Sequence, residues 1–234
     1  MIQLNLIFIL LLLATLARYI IFDAFEPAMF AMIFLLPVAA IVVYIMSKKF
    51  AEKERCYQPK NIEEWSFSNR QISLLNEKPL FKGEERRGYV KRYFTKKGQY
   101  VFADIFGSSW YLSLEVQMDE DIYDVRCVRE KWLTNQDRWI IYKNGEQIGE
   151  ARTLINLKNM TKLKEAIEFT FQDDCYISSA TTITPIISLT QDEVLLGTMK
   201  RNHIVSTVQV IDVKEDYPEY IIALILHAFY FKNK

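Results

Sequence analysis

The sequence has few of the residues that build phosphate-binding loops and catalytic turns. It contains only 7 glycines, 6 prolines, 3 cysteines and 2 histidines among 234 residues. The patterns G-x-x-x-x-G-K-[ST], G-x-G-x-x-G and G-x-S-x-G do not occur. The sequence therefore lacks a recognisable phosphate cradle and a nucleophile elbow.

An excess of charge of one sign is also missing. Lys+Arg and Asp+Glu both number 29, so the formal net charge is zero and bulk electrostatics do not favour nucleic acid as a partner. Hydrophobic residues make up 50% of the chain, which excludes a disordered protein because this chain can bury a large core. Cys56, Cys127 and Cys175 are odd in number and widely spaced, which predicts thiols in a reducing compartment.

Long hydrophobic runs are abundant in one place, the amino-terminal 46 residues. Residues 2–22 and 27–46 are each long enough for a helix that crosses a bilayer core, which needs about 20 apolar residues. The short link between them predicts a hairpin that crosses the membrane twice, and Pro37 predicts a kink in the second span. A cleaved signal peptide would need a basic residue before Arg18, and a buried core hairpin would not need 20 uncharged residues.

The charges beside the second span predict its orientation. Lys48, Lys49, Lys53 and Arg55 follow it at once, so the positive-inside rule places the rest of the chain in the cytoplasm of a multi-pass cell-membrane protein. We divide the chain into a transmembrane hairpin (1–46), a juxtamembrane linker (47–80) and a folded domain (81–234). The second helix is expected to reach about residue 55, and residues 61–65 form either a short helix or an ordered arm.

The folded domain is predicted to be mainly β. Asn144-Gly145 lies between two strand-like runs, and both residues accept the positive φ of a type I′ hairpin turn. Between residues 110 and 118 apolar and polar residues alternate, as in a half-buried strand. We predict about twelve strands, from the strand-like runs and turn signals between residues 89 and 213. The runs are 89–94, 100–106, 110–118, 122–132, 139–143, 146–151, 166–171, 175–183, 186–190, 194–200 and 204–213.

One helix is expected at the carboxyl end. Residues 220–231 are apolar on every side apart from His227, with acidic residues before them and lysines after them. A helix of this length is about 18 Å long, which is short for a third membrane span. Because a helix that is hydrophobic all round must be enclosed, we predict that a closed or nearly closed barrel surrounds it.

The hairpin at residues 139–149 and the terminal helix together resemble the tubby C-terminal domain and its relatives, the phospholipid scramblases and the LURP-one-related proteins. The resemblance covers roughly residues 81–234. It implies a barrel of about twelve strands around one helix, often near membranes and sometimes recognising phosphoinositides. Two membrane spans are a departure from tubby itself, and they make lipid recognition unnecessary for attachment.

No catalytic, metal or cofactor site is predicted. The histidines His203 and His227 are far apart in sequence, and no cysteine lies at ligand spacing from either. His227 is expected to be a core histidine with a hydrogen-bond partner. Cys175 and His203 could pair as nucleophile and base, but no motif orients them. The acidic run at residues 119–121 lacks the ligand spacing of a calcium loop and is expected to be a solvated turn.

Basic residues are the remaining candidates for function. The candidate lipid-headgroup ligands are Lys48, Lys49, Lys53, Arg55, Arg86, Arg87, Lys91 and Arg92. The alternative interpretations are a topological anchor for the group after the second span and a scattered, solvated face for the group after residue 85. Strand alternation sends neighbouring side chains to opposite faces, so Lys91 and Arg92 are not expected to share one patch.

Two classes of function remain open. The favoured hypothesis is a non-enzymatic interaction module that is tethered to the membrane and binds a protein partner or anionic lipid headgroups. The alternative is a scramblase-like lipid-handling protein, or an enzyme with an unrecognised site. Active-site clusters of titratable residues are missing, and two spans form a small bundle for a lipid pathway, so the interaction module is preferred.

Overall fold

The computed structural model describes residues 2–23, 25–70, 75–107, 109–128, 136–154, 164–172, 174–181, 186–203 and 206–231. In these residues the chain forms an amino-terminal helical hairpin, a β-barrel and a carboxyl-terminal helix. The helices are α1 (Ile2–Phe22), α2 (Pro27–Ile33), α3 (Leu35–Arg55), α4 (Lys97–Phe106) and α5 (Pro218–Phe231). The strands are β1 (Trp65–Ser68), β2 (Lys78–Lys82), β3 (Glu85–Tyr93), β4 (Ser113–Met118), β5 (Asp121–Val128), β6 (Arg138–Lys143), β7 (Glu146–Thr153), β8 (Lys164–Phe171), β9 (Asp174–Thr181), β10 (Ile187–Gln191), β11 (Val194–Arg201) and β12 (Val208–Val213).

The twelve strands form one closed antiparallel barrel, as predicted. Each strand from β2 to β12 pairs with the one before it in the chain, and the barrel closes where β1 pairs with both β12 and β2. Trp65 lies opposite Ile211 across that closing pair. Among the described strands, closure leaves no sheet edge open for pairing with another chain.

Helix α5 fills the interior of the barrel, which confirms the predicted central helix. All its residues from Tyr220 to Phe229 are buried, and Leu224 and Leu226 have no exposed surface. The inward side chains of the strands surround it; in β4 these are Leu114, Val116 and Met118, as the alternation predicted. The apolar helix therefore finds the enclosure that its composition requires.

The amino-terminal hairpin has two helices that are long and apolar enough to span a membrane, Ile2–Phe22 and Pro27–Arg55. In the most apolar stretch of each helix only 6% and 11% of the residues are buried, so they are not core helices of this fold. The second helix is interrupted at Phe34, between α2 and α3. Because Pro37 lacks an N–H and crowds the carbonyl four residues earlier, the interruption lies one turn before the proline.

Two sequence predictions about local structure were wrong. Residues 100–106 were predicted as a strand, but they belong to helix α4. The aromatic and β-branched residues there favour a strand locally. The helix begins instead at a hydrogen bond that the Lys96 N–H donates to Gln99 Oε1 at 3.2 Å. Ala103 packs inward on that helix. Strand β1 and most of β2 lie before residue 81, within the segment predicted as a linker. The short helix considered for residues 61–65 is not formed, since β1 begins at Trp65.

The two-residue turn Asn144-Gly145 was predicted correctly. Asn144 has φ 50° and Gly145 has φ 92°, the positive values that a type I′ hairpin needs. Similar tight turns with positive φ join β4 to β5 at Asp119 and β10 to β11 at Asp192 and Glu193. These turns all lie at the same end of the barrel, because antiparallel neighbours alternate in direction. We call it the distal end.

Candidate membrane-facing site

The hairpin is bonded to the barrel through a buried ion pair at the end of α3. Both carboxylate oxygens of Glu54 accept hydrogen bonds from the Lys78 ammonium in β2, at 2.9 and 3.0 Å. The backbone N–H of Arg70 also donates to the Glu54 carboxylate. The Arg70 guanidinium lies 5.1 Å from the centre of the Phe50 ring. One helical turn of α3 is thereby held against the start of β2.

This ion pair is buried, and its burial determines the cost of removing either partner. The side chains of Glu54 and Lys78 are 0% and 2% exposed. Burial lowers the pKa of the Lys78 ammonium, and the adjacent Glu54 carboxylate opposes that change. A buried charge without its partner is costly, so each residue of the pair depends on the other.

A second junction joins the first helix to the barrel. The backbone N–H of Ile2 donates to Asp104 Oδ2 at 2.7 Å, and Gln3 Nε2 donates to the carbonyl of Ile105 at 2.7 Å. Asp104 thus supplies an acceptor, and a negative charge, at the amino end of α1. The hairpin therefore contacts the barrel at the start of α1 and at the end of α3.

Both junctions lie at the same end of the barrel, opposite the distal end. Lys78 begins β2 and pairs in register with Val90 near the end of β3, and α4 follows directly after β3. We call this the membrane-proximal end. The connection between β3 and β4 here includes a whole helix, whereas the distal connections described above are two-residue turns. The fold thus separates an attached end from a free end.

The four basic residues predicted beside the membrane lie on the last turns of α3. Lys48, Lys49, Lys53 and Arg55 are all exposed. Lys48 lies 4.8 Å above the ring of Tyr44. Glu54 interrupts the set on the helix face that turns toward the barrel. These four side chains therefore lie within about two helical turns of Glu54, where the hairpin meets the barrel.

Two other predicted headgroup residues, Arg86 and Arg87, do not join them. Arg86 and Arg87 begin β3 at the distal end, where they line a shallow groove of about 350 Å³. Arg87 forms ion pairs with Asp119 at 2.9 Å and with Glu85 at 3.5 Å. An anionic headgroup in this groove would need the Arg87 guanidinium, which is already paired with carboxylates.

Acidic side chains dominate the distal end. The basic residues there are fewer: Arg86 and Lys214 are exposed, and the partly exposed Lys82, Arg87 and Lys143 form ion pairs with carboxylates. The exposed acidic residues at these turns are Glu84, Glu85, Asp119, Glu120, Glu146, Asp174, Asp192, Glu193, Glu215 and Asp216. An anionic membrane surface would be repelled by this end.

Lys91 and Arg92 point to opposite faces of β3, as predicted. Lys91 lies on the outer surface, 3.4 Å from Glu77. Arg92 is 2% exposed, donates to the carbonyl of Trp110 at 2.9 Å and lies 4.6 Å from the Phe94 ring centre. Burial lowers the pKa of Arg92 to about 10. A side chain this buried cannot reach a lipid headgroup, so Arg92 does not belong to an exposed headgroup site in this structure.

The histidines and cysteines form no accessible catalytic arrangement among the described residues. His227 Nδ1 and Ser178 Oγ are 3.0 Å apart, and both residues are 0% exposed, so the predicted core histidine with a partner is confirmed. Cys175 lies at the distal end, whereas His203 follows β11 at the other end, so they do not meet. No group of three or more His, Cys, Asp or Glu is placed to hold a metal in the part of the chain that the structure describes.

The acidic run at residues 119–121 forms a turn, as predicted. The carboxylates of Asp119 and Asp121 bind basic and amide groups of neighbouring strands and turns. Asp121 Oδ2 lies 2.8 Å from Lys143, and Asp121 Oδ1 accepts from Asn144 Nδ2 at 2.8 Å. The hydrogen bonds from Lys143 and Asn144 lower the pKa of Asp121. These carboxylates stabilise the turn by joining it to the next hairpin.

Comparisons with known proteins agree with the architecture. A family model, the Tubby C-terminal like domain, matches residues 57–233, about three quarters of the chain. The comparisons with curated proteins and with solved structures gave no match. The matched region begins before β1 and includes the whole barrel and α5. The chain therefore belongs to the Tubby C-terminal like domain family.

Proposed function

We propose that this protein is a membrane-anchored, non-enzymatic binding module whose barrel lies in the cytoplasm. The helix lengths support two spans: α1 has 21 residues, about 31 Å, which matches a hydrocarbon core of about 30 Å. The exposed Lys48, Lys49, Lys53 and Arg55 support a cytoplasmic position for the barrel. Membership of the Tubby C-terminal like family supports a role in binding a lipid or a protein.

One observation carries this proposal: the hairpin is bonded to the barrel at two separate points of one end. Ile2 is bonded to Asp104, and Glu54 is bonded to Lys78. A barrel on a single flexible linker would sample many orientations, whereas two short junctions fix its tilt and rotation. The membrane-proximal end then faces the leaflet, and the distal end faces the cytoplasm.

The position of the binding surface follows from the core. Helix α5 occupies the barrel interior, so the barrel does not act as a ligand cup. The distal end and the outer wall are the surfaces that the tether leaves open to the cytoplasm, and we propose that a protein partner binds there. The acidic character of the distal end favours a partner with basic side chains.

Anionic headgroup binding is a second candidate function, and one observation favours it. Lys48, Lys49, Lys53 and Arg55 are exposed at the depth at which a lipid headgroup region would lie. Basic residues near an anionic leaflet contribute about 1 kcal/mol each. Both candidates are binding functions, and they use opposite ends of the barrel.

The topology can be tested with a cysteine that the chain already provides. Cys175 is exposed at the distal end, and Phe25, 51% exposed, lies in the link of the hairpin. In a Cys56→Ser, Cys127→Ser background, a membrane-impermeant maleimide should label Cys175 only after permeabilisation. In that background with Cys175→Ser, Phe25→Cys should be labelled in intact cells. Labelling of Cys175 from outside would refute the cytoplasmic position of the barrel.

A further inference from the structure

Helix α4 carries apolar side chains that are partly exposed on its outer side. Its inward side is anchored by Ala103, which is 2% exposed. On its outer side Val101 and Phe102 are 39% and 37% exposed. Lys96 and Lys97 stand exposed at its amino end. Exposed apolar residues on one side, with basic residues beside them, are typical of helices that lie on a membrane surface.

The exposed side of α4 is also the side that meets the hairpin. Asp104 and Ile105 bind the first residues of α1. On a helix, residues three or four apart share a face, so Val101 lies beside Asp104 and Ile105. Asp104 makes its contact through the side chain and Ile105 through the backbone carbonyl, so Val101 is the exposed apolar residue on the side that meets α1. Phe102 lies about 100° further around the helix from Val101. The apolar surface of α4 therefore lies next to the start of α1, with Val101 nearest to it.

The length of α1 gives the depth of this surface. A helix of 21 residues spans about 31 Å, so if Phe22 lies at one boundary of the hydrocarbon core, Ile2 lies at the other. Helix α4 is hydrogen-bonded to Ile2 and so lies at that boundary. The junction at Glu54 lies farther from the hydrocarbon core. Glu54 follows Met46, the end of the uncharged run, by eight residues, which is about 12 Å of helix.

We propose that α4 is an interfacial helix that lies in the headgroup region of the cytoplasmic leaflet, with Val101 and Phe102 inserted among the acyl chains and Lys96 and Lys97 at the lipid phosphates. The occupant of this surface is the bilayer itself. The proposal rests on the membrane insertion of the hairpin stated above. It gives the barrel a third attachment, which holds the membrane-proximal end against the leaflet.

Depth-dependent fluorescence quenching tests this in the full-length protein. The protein, in a background with Cys56, Cys127 and Cys175 changed to Ser, is reconstituted in phosphatidylcholine–phosphatidylserine vesicles. An environment-sensitive fluorophore is attached to Phe102→Cys or, in a second variant, to Val101→Cys. Two exposed positions serve as references: Leu10→Cys within α1 and Val194→Cys in β11, which are 57% and 55% exposed. Brominated lipids then quench fluorophores that touch acyl chains.

We expect the fluorophores at residues 101 and 102 to be blue-shifted and quenched by lipids brominated near the headgroup. The fluorophore at residue 194 should not be quenched, and the one at residue 10 should be quenched by lipids brominated near the bilayer centre. Quenching at residue 10 without quenching at residues 101 and 102 would overturn the interfacial helix and leave the hairpin intact. Absence of quenching at residue 10 would instead refute the proposed membrane insertion, and the interfacial helix with it.

Discussion

The carboxylate of Glu54 and the ammonium of Lys78 are 2.9 Å apart and almost completely buried, at the point where α3 meets the barrel. Twenty-three residues separate them in sequence, and those residues include the whole of β1. The carboxylate also accepts the Arg70 backbone N–H, so three segments of chain converge on one side chain. The ion pair therefore makes the hairpin and the barrel one mechanical unit.

The first prediction concerns this ion pair. Lys78→Met leaves the Glu54 carboxylate buried without its cation, and removal of one partner of a buried pair costs about 3–5 kcal/mol. The melting temperature of the full-length protein in detergent should fall accordingly. Proteolysis should also become faster between the hairpin and β2, because the junction holds that segment.

An exposed ion pair provides the matched control. Arg138 and Glu150 are 2.7 Å apart but 45% and 39% exposed, so Arg138→Gln should cost no more than about 1 kcal/mol. Combining Glu54→Leu with Lys78→Met should recover part of the loss, since apolar side chains can replace a buried pair. Equal effects of Lys78→Met and Arg138→Gln would contradict the importance of the junction.

The second prediction concerns the central helix. Leu224 and Leu226 are 0% exposed, and changing both to Asp should abolish folding because neither carboxylate can be paired inside the barrel. The milder Leu224→Ala should cost about 2–5 kcal/mol of unfolding free energy. Val194→Ala, at a 55% exposed position, is the control and should be nearly neutral. A folded double-Asp variant would exclude the central position of α5.

The parts of the fold that were predicted from the sequence are those with strong local signals. Residues 220–231 are apolar on all sides, and such a helix has few options other than complete enclosure. Asn144-Gly145 needs only its own two residues to specify a turn. In contrast, β1 is four residues long and is completed by long-range contacts, such as the hydrogen bond that Trp65 Nε1 donates to Asp216 Oδ1 at 3.0 Å. No local pattern contains that information.

The arrangement of the basic residues in the candidate site also depends on contacts that are distant in sequence. The basic residues between Arg86 and Lys97 are close in sequence, yet β3 carries them from the distal end to the membrane-proximal end. They are separated because β3 runs from the distal end toward the hairpin, and the sequence alone does not give that direction. Of the two acidic partners of Arg87, Glu85 lies in the same strand, whereas Asp119 lies in the turn between β4 and β5 and is distant in sequence. Strand alternation predicted that Lys91 and Arg92 do not share a patch, but only the structure shows that Arg86 and Arg87 lie at the opposite end of the barrel from the basic residues of α3.

The third prediction concerns alkaline pH. The Tyr89 hydroxyl donates to Glu115 Oε1 at 2.7 Å, and this hydrogen bond raises the pKa of Tyr89 to about 12. Burial raises the pKa of Tyr176 to about 12 as well. In an unfolded chain a tyrosine pKa is about 10, so the folded state holds these protons more tightly. Their contribution is complete below about pH 10 and is lost as the pH rises through about 12.

Thermal unfolding measured between about pH 10 and about pH 12 checks this contribution. The melting temperature of the unmodified protein should fall with rising pH, and Tyr89→Phe should make that fall shallower. The difference in phenolate absorbance between the two proteins reports the titration of Tyr89 directly. A Tyr89 titration centred near about 10, the unfolded value, would contradict the effect of the Glu115 hydrogen bond.

The last prediction separates the two groups of basic residues. Lys48, Lys49, Lys53 and Arg55 lie on the last turns of α3, on the proposed membrane side of the barrel, whereas Arg86 and Arg87 lie at the distal end among carboxylates. In bilayers that contain spin-labelled phosphatidylserine, the fraction of immobilised lipid around the protein should decrease when the four juxtamembrane residues are changed to Gln. Each charge near the surface contributes about 1 kcal/mol, so their combined loss should be readily measured.

The double variant Arg86→Gln, Arg87→Gln is the matched control and should leave the immobilised fraction unchanged. Salt should weaken the selectivity for phosphatidylserine over phosphatidylcholine in the unmodified protein, because exposed charges are screened over about 8–10 Å at ordinary ionic strength. The reverse pattern, with sensitivity to Arg86 and Arg87 alone, would require the distal end to reach the leaflet. That orientation is incompatible with both junctions between the hairpin and the barrel, so this single comparison tests the anchored geometry as well as the choice of lipid ligand.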